Sequence, residues 1–362
     1  MVIANIIERV GRWARGRYHR APNGQRRHPA RGPTRPETAD LFREPPPLSP
    51  EGSEPSELEE LSTRAKEVLS RRVLALMEKY KGAPNDSDAL DLAQDLTQNS
   101  WEMIRRPPLA AQQILAVCGR REFALEELTR LIERDPAMTQ SLLRHANSAW
   151  YATAGAVPVV AIGPAVQRIG TTGVYGSVMS RIIASELSRP GSAFRELARQ
   201  VWDHMIRVAP LARSFARAFG ANPEEAFTAG LLHDVGKLVI FDAIAELRRR
   251  KRRAIELPDE FLREALATLH ESIGGLAALR WGLPGHYAEA ILSHQRDPVP
   301  DEPSTLGEVL YLAERIDVAT EAGTPVELDD IWESAALTGS LDTARKIWAE
   351  LGGEPQEDLV GE

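Results

Sequence analysis

Between Ala229 and Leu238 a histidine and an aspartate stand side by side, His233 and Asp234, with Gly236 and Lys237 just after them, all inside an apolar helical pattern. Buried imidazole and carboxylate groups are costly unless something satisfies them, and a divalent metal ion would satisfy both. Three further histidines fall on inward faces of other helices. His204 shares a stripe with Leu197, Val201, Val208, Leu211 and Phe215, His270 borders Leu266, Leu269 and Ile273, and His294 follows Tyr287 and Ile291. A later helix offers Glu314 and Asp317, three residues apart on one side. Imidazole nitrogens with carboxylate oxygens suit Fe, Mn, Ni or Zn better than Ca or Mg. A carboxylate such as Asp234 can bridge two ions, and paired ions clamp both oxygens of a phosphoryl displacement. Lys237 lies on the same helical face as the pair. It reads either as a point charge for phosphate or as a solvated lysine near a helix end. The alternative for the histidines is a set of core imidazoles bonded to backbone carbonyls.

The elements that must position these groups are nearly all helical. Leu58, Leu61, Ala65, Leu69, Val73, Leu76 and Tyr80 recur at spacings of three and four. Gly82, Pro84 and Asn85 stop that helix, and a second is expected over 86–104. Shorter helices are expected at 109–118, 124–134 and 138–151, the last opened by Asp135 as cap and Pro136 as first helical residue. Weaker ones follow at 164–169 and 172–187. The second half reads as helices at 194–219, 224–243, 259–281, 284–294, 306–319 and 343–351. The one β-rich run is Val157–Ile162, and no internal repeat is present. Six consecutive cations, Arg248 to Arg253, read as a loop between helices, either solvated or gripping phosphate or RNA.

The ends differ from the body. Residues 1–36 hold nine arginines against one glutamate, +8, so that residues 37–362 carry −16 of the net −8. An acidic body counts against a nucleic-acid-binding face. Residues 1–20 form a basic segment in which Val2, Ile3, Ile6, Ile7, Val10 and Trp13 line up opposite Arg9, Arg12 and Arg17. That stripe could lie on an anionic membrane surface, dock on a partner, or be a frayed tail. Residues 21–55 contain nine prolines and read as a disordered linker. No apolar run approaches the ~20 residues that cross a bilayer. The single cysteine, Cys118, excludes an intrachain disulfide and reads as a small buried hydrophobe, which with the lack of a secretory signal points to a cytoplasmic setting.

The pair His233-Asp234, the Gly236-Lys237 that follows and His204 29 residues earlier resemble the HD phosphohydrolase superfamily. More narrowly, the chain resembles its HDOD branch, the HD-related output domain. Three stretches carry that likeness. One runs from Ile132 to Thr139 and on to Leu142–Ala149, another is Ala165–Gly170, and the third is His270-Glu271-Ser272-Ile273-Gly274 with Trp281-Gly282-Leu283-Pro284. The resemblance covers residues 103–320. It implies an all-α, two-lobed helical bundle, with an N-terminal bundle at 103–190 and an HD-like bundle at 191–320. A helical extension at 56–102 precedes it, and a C-terminal helical extension with an acidic tail, 321–362, follows. It implies His204, His233 and Asp234 as metal ligands, with Glu314 where the family's closing Asp is expected and Asp317 in reserve. His270 and His294 match positions that serve a second metal in HD-GYP relatives. The Gly-Tyr-Pro signature is missing, since Gln295-Arg296-Asp297-Pro298 follows His294, so cyclic di-GMP cleavage is not implied. HDOD domains are regarded as bacterial signalling modules without an established catalytic activity. The resemblance therefore implies a regulatory protein that binds a signalling partner or small ligand. The alternative is a metal-dependent phosphohydrolase on a nucleotide or phosphomonoester, with Asp234 bridging ions and Lys237 orienting phosphate.

Overall fold

The computed structural model describes residues 55–82, 86–118, 120, 123–148, 151, 157–187, 194–296 and 303–353. The basic segment 1–20, nearly all of the Pro-rich stretch and the acidic tail after Gly353 lie outside the described residues. The chain opens with α1 (Pro55–Tyr80), α2 (Asp86–Gln98) and the single turn α3 (Ser100–Met103). A first lobe follows: α4 (Leu109–Cys118), α5 (Leu125–Glu133), α6 (Pro136–Ala146) and α7 (Ile162–Leu187). The second lobe comprises α8 (Arg195–Phe215), α9 (Pro223–Leu232), α10 (Val235–Lys251), α11 (Asp259–Arg280), α12 (Gly285–Leu292) and α13 (Thr305–Ala322). Two short helices close it, α14 (Leu328–Ser334) and α15 (Leu341–Glu350). No strand occurs among the described residues, so the fold is all-α and two-lobed. Val157–Val160 is coil.

The apolar periodicities explain the packing. On α1, Leu61, Ala65, Leu69, Val73, Leu76 and Tyr80 are all buried, against α11 and α12. Truncating a residue such as Leu69 to alanine would cost about 2–5 kcal/mol. Asp135 caps α6 by accepting from the backbone N–H groups of Ala137 at 2.9 Å and Met138 at 3.1 Å, as its place before Pro136 predicts. Cys118 is buried, and burial pushes its thiol up to about 12, so it packs as a hydrophobe. The lobes meet where α7 packs on α9. There Arg213 donates to Glu224 Oε2 at 2.6 Å and to the Tyr151 hydroxyl at 3.1 Å, with its guanidinium 4.0 Å above the Phe227 ring.

The helices expected at 164–169 and 172–187 are parted within α7 at Gly170, where the backbone is non-helical with a φ of 68° that a residue with a Cβ would resist. Five other sequence expectations change. The helix expected over 86–104 breaks at Asn99, and α14 was not foreseen. Leu197, at the start of the His204 stripe, is 38% exposed. The helix expected over 224–243 is two, α9 and α10, parted at the His-Asp pair. The run Arg248–Arg253 is no loop: α10 continues to Lys251 and ends in Arg252 at φ 53°. The run is held because acidic α2 lies against it. Lys251 donates to Asp88 at 2.7 Å, Arg253 to both Asp88 oxygens at 2.7 and 2.6 Å, and Arg250 to Asp95 at 3.1 Å.

Candidate metal centre

The break between α9 and α10 builds the site. On a continuous helix, neighbouring side chains diverge by about 100°. At the junction Asp234 has φ −101° and ψ 7°, outside helical values, so the His233 imidazole and the Asp234 carboxylate face the same interior space. Gly236 then lets α10 close on α11. A Cβ there would sit 2.0 Å from the His270 carbonyl oxygen and 2.8 Å from the Gly274 nitrogen, both backbone atoms. The glycine two residues past the aspartate is therefore a packing requirement that brings α10 within reach of His270.

Four imidazoles and two carboxylates converge. His204 comes from α8, His233 and Asp234 from the α9–α10 junction, His270 from α11, His294 from the turn after α12 and Glu314 from α13. His204 Nε2 and His233 Nε2 are 3.2 Å apart, and so are His270 Nε2 and His294 Nε2. Asp234 stands between the pairs. Its Oδ2 lies 3.7 Å from both His204 Nε2 and His233 Nε2, and its Oδ1 lies 3.5 Å from His270 Nε2. Glu314 Oε2 is 3.9 Å from His294 Nε2. Ligating atoms of His204, His233 and Glu314 form one group within 4.8 Å, and those of His233, Asp234 and His294 form another. All six residues named as candidate ligands are thus neighbours.

The atoms behind the imidazoles fix which nitrogen points inward. His233 Nδ1 donates to the Gly230 carbonyl at 2.9 Å and His294 Nδ1 to the Ile291 carbonyl at 2.8 Å. His204 Nδ1 donates to Asp317 Oδ2 at 2.7 Å, and Arg207 Nε grips the other oxygen of that carboxylate at 2.8 Å. Asp317, the reserve ligand, therefore stands behind His204 and orients it, as carboxylates behind metal-bound histidines commonly do. With Nδ1 engaged as donor, the Nε2 atoms of His204 and His233 present lone pairs to each other at 3.2 Å. Only a positive charge between them, a proton or a metal ion, reconciles that spacing. Burial pushes the His233 pKa down to about 4, which works against a proton on that ring. Asp234 Oδ1 and His270 Nδ1 are buried with no hydrogen-bond partner. An uncompensated buried carboxylate oxygen beside converging imidazoles is a donor set that fits a divalent transition metal.

Lys237 donates to Asp234 Oδ2 at 2.6 Å. Burial works to raise the Asp234 pKa but is outweighed by the positive charge around it, and the carboxylate stays ionised. Two residues behind the site carry no signal in the apolar pattern. Gln295 Nε2 donates to both Glu314 oxygens at 2.9 Å, and the buried Glu271 accepts from the Gln295 backbone N–H at 3.1 Å. The His270-Glu271 neighbourhood was the one hint available.

Solved structures share this architecture. The chain is similar to a candidate phosphohydrolase from Shewanella amazonensis SB2B, with 25% identity and a TM-score of 0.53 over 70% of this chain and 93% of that one. A candidate metal-dependent phosphohydrolase from the same organism matches at 23% identity and a TM-score of 0.53, over 73% of this chain and 99% of that one. An HDOD domain protein of unknown function from Geobacter sulfurreducens matches at 22% identity and 0.50, over 71% and 94%. The last two likenesses establish the fold alone. No curated protein matches the chain. The HDOD domain family matches residues 104–297, more than half of the sequence. With its two helical lobes and the His-Asp junction between α9 and α10, this chain belongs to the HDOD domain family.

Proposed function

We propose that the chain is a regulatory HDOD protein whose HD centre holds one or two divalent transition-metal ions as a fixed scaffold, and which acts by binding a signalling partner or small ligand. The observation that carries this reading is the facing pair of Nε2 lone pairs on His204 and His233, 3.2 Å apart with both Nδ1 atoms engaged elsewhere. His204, His233, Asp234 and Glu314 would hold one ion. The other oxygen of Asp234, His270 and His294 would hold a second. Glu314 stands where the family resemblance expects the shorter Asp, and Gln295 holds both its oxygens. Burial supports a scaffold over turnover, because structural metal sites are closed and catalytic ones keep an open position. His233, Asp234, His270 and His294 are all buried. Asp317, Gly230 and Ile291 hold three imidazoles in the ligating tautomer, and Lys237 balances the Asp234 charge.

A second reading, a metal-dependent phosphohydrolase acting on a nucleotide or phosphomonoester, is favoured by one edge of the site. The side chains of His204, Lys237 and Glu314 keep 16%, 21% and 13% of their exposure, so a phosphate could reach the Lys237 ammonium from that side. When bound, paired ions would polarise phosphoryl oxygens and activate water. The Shewanella protein described as a candidate phosphohydrolase supports this reading through its 25% identity.

Metal analysis by elemental mass spectrometry on protein purified without a metal-binding tag tests the proposal. The expected result is about one or two equivalents of Fe, Mn, Ni or Zn, lost in the His233→Ala/Asp234→Ala variant. No metal in folded wild type, even after reconstitution, overturns it. Phosphomonoester or nucleotide hydrolysis that vanishes in the same variant would favour the second reading. Partner capture that survives in it would favour the first.

A further inference from the structure

The family match begins at residue 104 and ends at 297, yet side chains from outside it reach the rim of the centre. Arg72, midway along α1, donates from Nη1 to the Thr268 carbonyl at 2.7 Å and to Glu271 Oε2 at 2.9 Å. Glu271 follows His270 in sequence, and only 5% of its side chain is exposed. Its other oxygen, Oε1, receives the Gln295 backbone N–H at 3.1 Å and lies 3.9 Å from His294 Nδ1. Gln295 in turn holds both Glu314 oxygens at 2.9 Å. One guanidinium on α1 is thus joined, through a single buried carboxylate, to the turn that carries His294 and orients Glu314. The same turn is gripped from the opposite side. Arg296, with a strained φ of 53°, donates from Nε and Nη2 to the Ala335 carbonyl at 3.0 and 2.7 Å.

A buried carboxylate robbed of its cation turns toward the nearest remaining hydrogen-bond donor. For Glu271 that direction is the centre, where His294 Nδ1 is already 3.9 Å away and would be pulled from the Ile291 carbonyl. Groups behind metal ligands commonly account for 10–100-fold in metal affinity. We infer that Arg72 is a positioning residue for the His270 and His294 half of the centre, so that α1, outside the HDOD match, sets how tightly that half holds its ion. This rests on the metal-centre reading above.

The test compares Arg72→Met with Lys79→Met in the full chain, both titrated with Mn(II). Lys79 lies on the same helix and pairs with Glu264 at 2.5 Å, but that pair does not touch the centre. Arg72→Met is expected to weaken the second equivalent by about 10–100-fold and the first, reached only through Gln295 and Glu314, by less, while Lys79→Met changes neither. Arg72→Lys should fall between, since lysine keeps the charge but its shorter arm does not carry it to the place from which Nη1 reaches both Thr268 and Glu271. Equal losses in Arg72→Met and Lys79→Met, or no loss in either, would overturn the assignment. A second readout needs no metal. The His294 Nδ1–H proton signal in the NMR spectrum should shift or exchange faster in Arg72→Met and stay put in Lys79→Met; an unmoved signal overturns the assignment. Wild type that takes up no metal sinks the metal reading alone, and the imidazole signal then decides the case for Arg72. Should Arg72→Met fail to fold, Glu271→Gln, which keeps the shape and removes the charge, is expected to move both readouts the same way.

Discussion

Asp88 and Asp234 are both buried carboxylates, 3% and 1% exposed, and both titrate below the usual carboxylate range. Their surroundings differ in one respect. Asp88 is saturated: Arg253 donates to both oxygens, Lys251 adds an ammonium at 2.7 Å and the Glu256 backbone N–H closes the shell at 3.0 Å. Asp234 has Lys237 on Oδ2 and nothing within hydrogen-bond reach of Oδ1, while four imidazoles crowd around it. Burial and a lowered pKa alone do not mark a site, because a structural ion-pair network produces both. The unfilled coordination of Asp234, beside nitrogens that share its need for positive charge, separates a place built to receive something from one already complete.

Four substitutions and conditions sharpen that contrast. The His233→Ala/Asp234→Ala variant should lose all bound metal, and a chelator that lowers the melting temperature of wild type should leave the variant unmoved; unchanged metal content would erase the distinction. Asp317→Asn should weaken metal binding about 10–100-fold while the fold persists, measured by competition with a chromogenic chelator. Asp88→Asn should leave metal affinity intact and cost about 2 kcal/mol in urea unfolding, less than a fully buried pair because Arg253 is half-exposed. A fall in metal affinity there would show that the two carboxylates are not independent. The smallest effect is acid sensitivity. The Arg253 guanidinium holds Asp88 below its unfolded value of about 3.9, so its contribution is fully present above that value and is lost as pH falls through the folded one. Wild type should therefore lose stability between about pH 4 and pH 2 more steeply than Asp88→Asn, read by thermal melts across that range.

Sequence reasoning reached the centre and not its supports. His204, His233, His270 and His294 stood out because a histidine in an apolar helical pattern is conspicuous; His204 and His270 do lie on their helices, while His233 and His294 fall in the turns that end theirs. Asp317 was read as a ligand in reserve, since spacing along α13 cannot tell a carboxylate that faces an ion from one that faces the far nitrogen of a histidine. The break at His233-Asp234 was invisible for a related reason. Val235, Leu238, Val239 and Ile240 continue the apolar pattern with no proline at the junction, so the signal for a single helix is intact, and the close approach of α10 to α11 that Gly236 permits is a matter of tertiary packing. The run Arg248–Arg253 looked solvated because its partners, Asp88, Asp91 and Asp95, lie on α2, some 160 residues earlier. Arg72 was unremarkable on an exposed-looking helix until Glu271 appeared beneath it.

The order of the helices along the chain bears on how the molecule is made. Arg72 and Glu271 are separated by 199 residues, and the candidate ligands run from His204 to Glu314. During synthesis, which delivers the N-terminal end first, α1 emerges with its apolar stripe, can pack at once on α2, and completes its burial only when α11 and α12 follow. His204, His233 and Asp234 appear as a half-formed claw well before His294 and Glu314 complete the cage. Contacts this distant slow folding, and a growing chain offers any passing cation three loose ligands without the second half. Correct metal loading should then be an event of the finished polypeptide, and a ribosome-stalled fragment ending before His294 should capture metal weakly and leave the inner face of α1 open to chaperones.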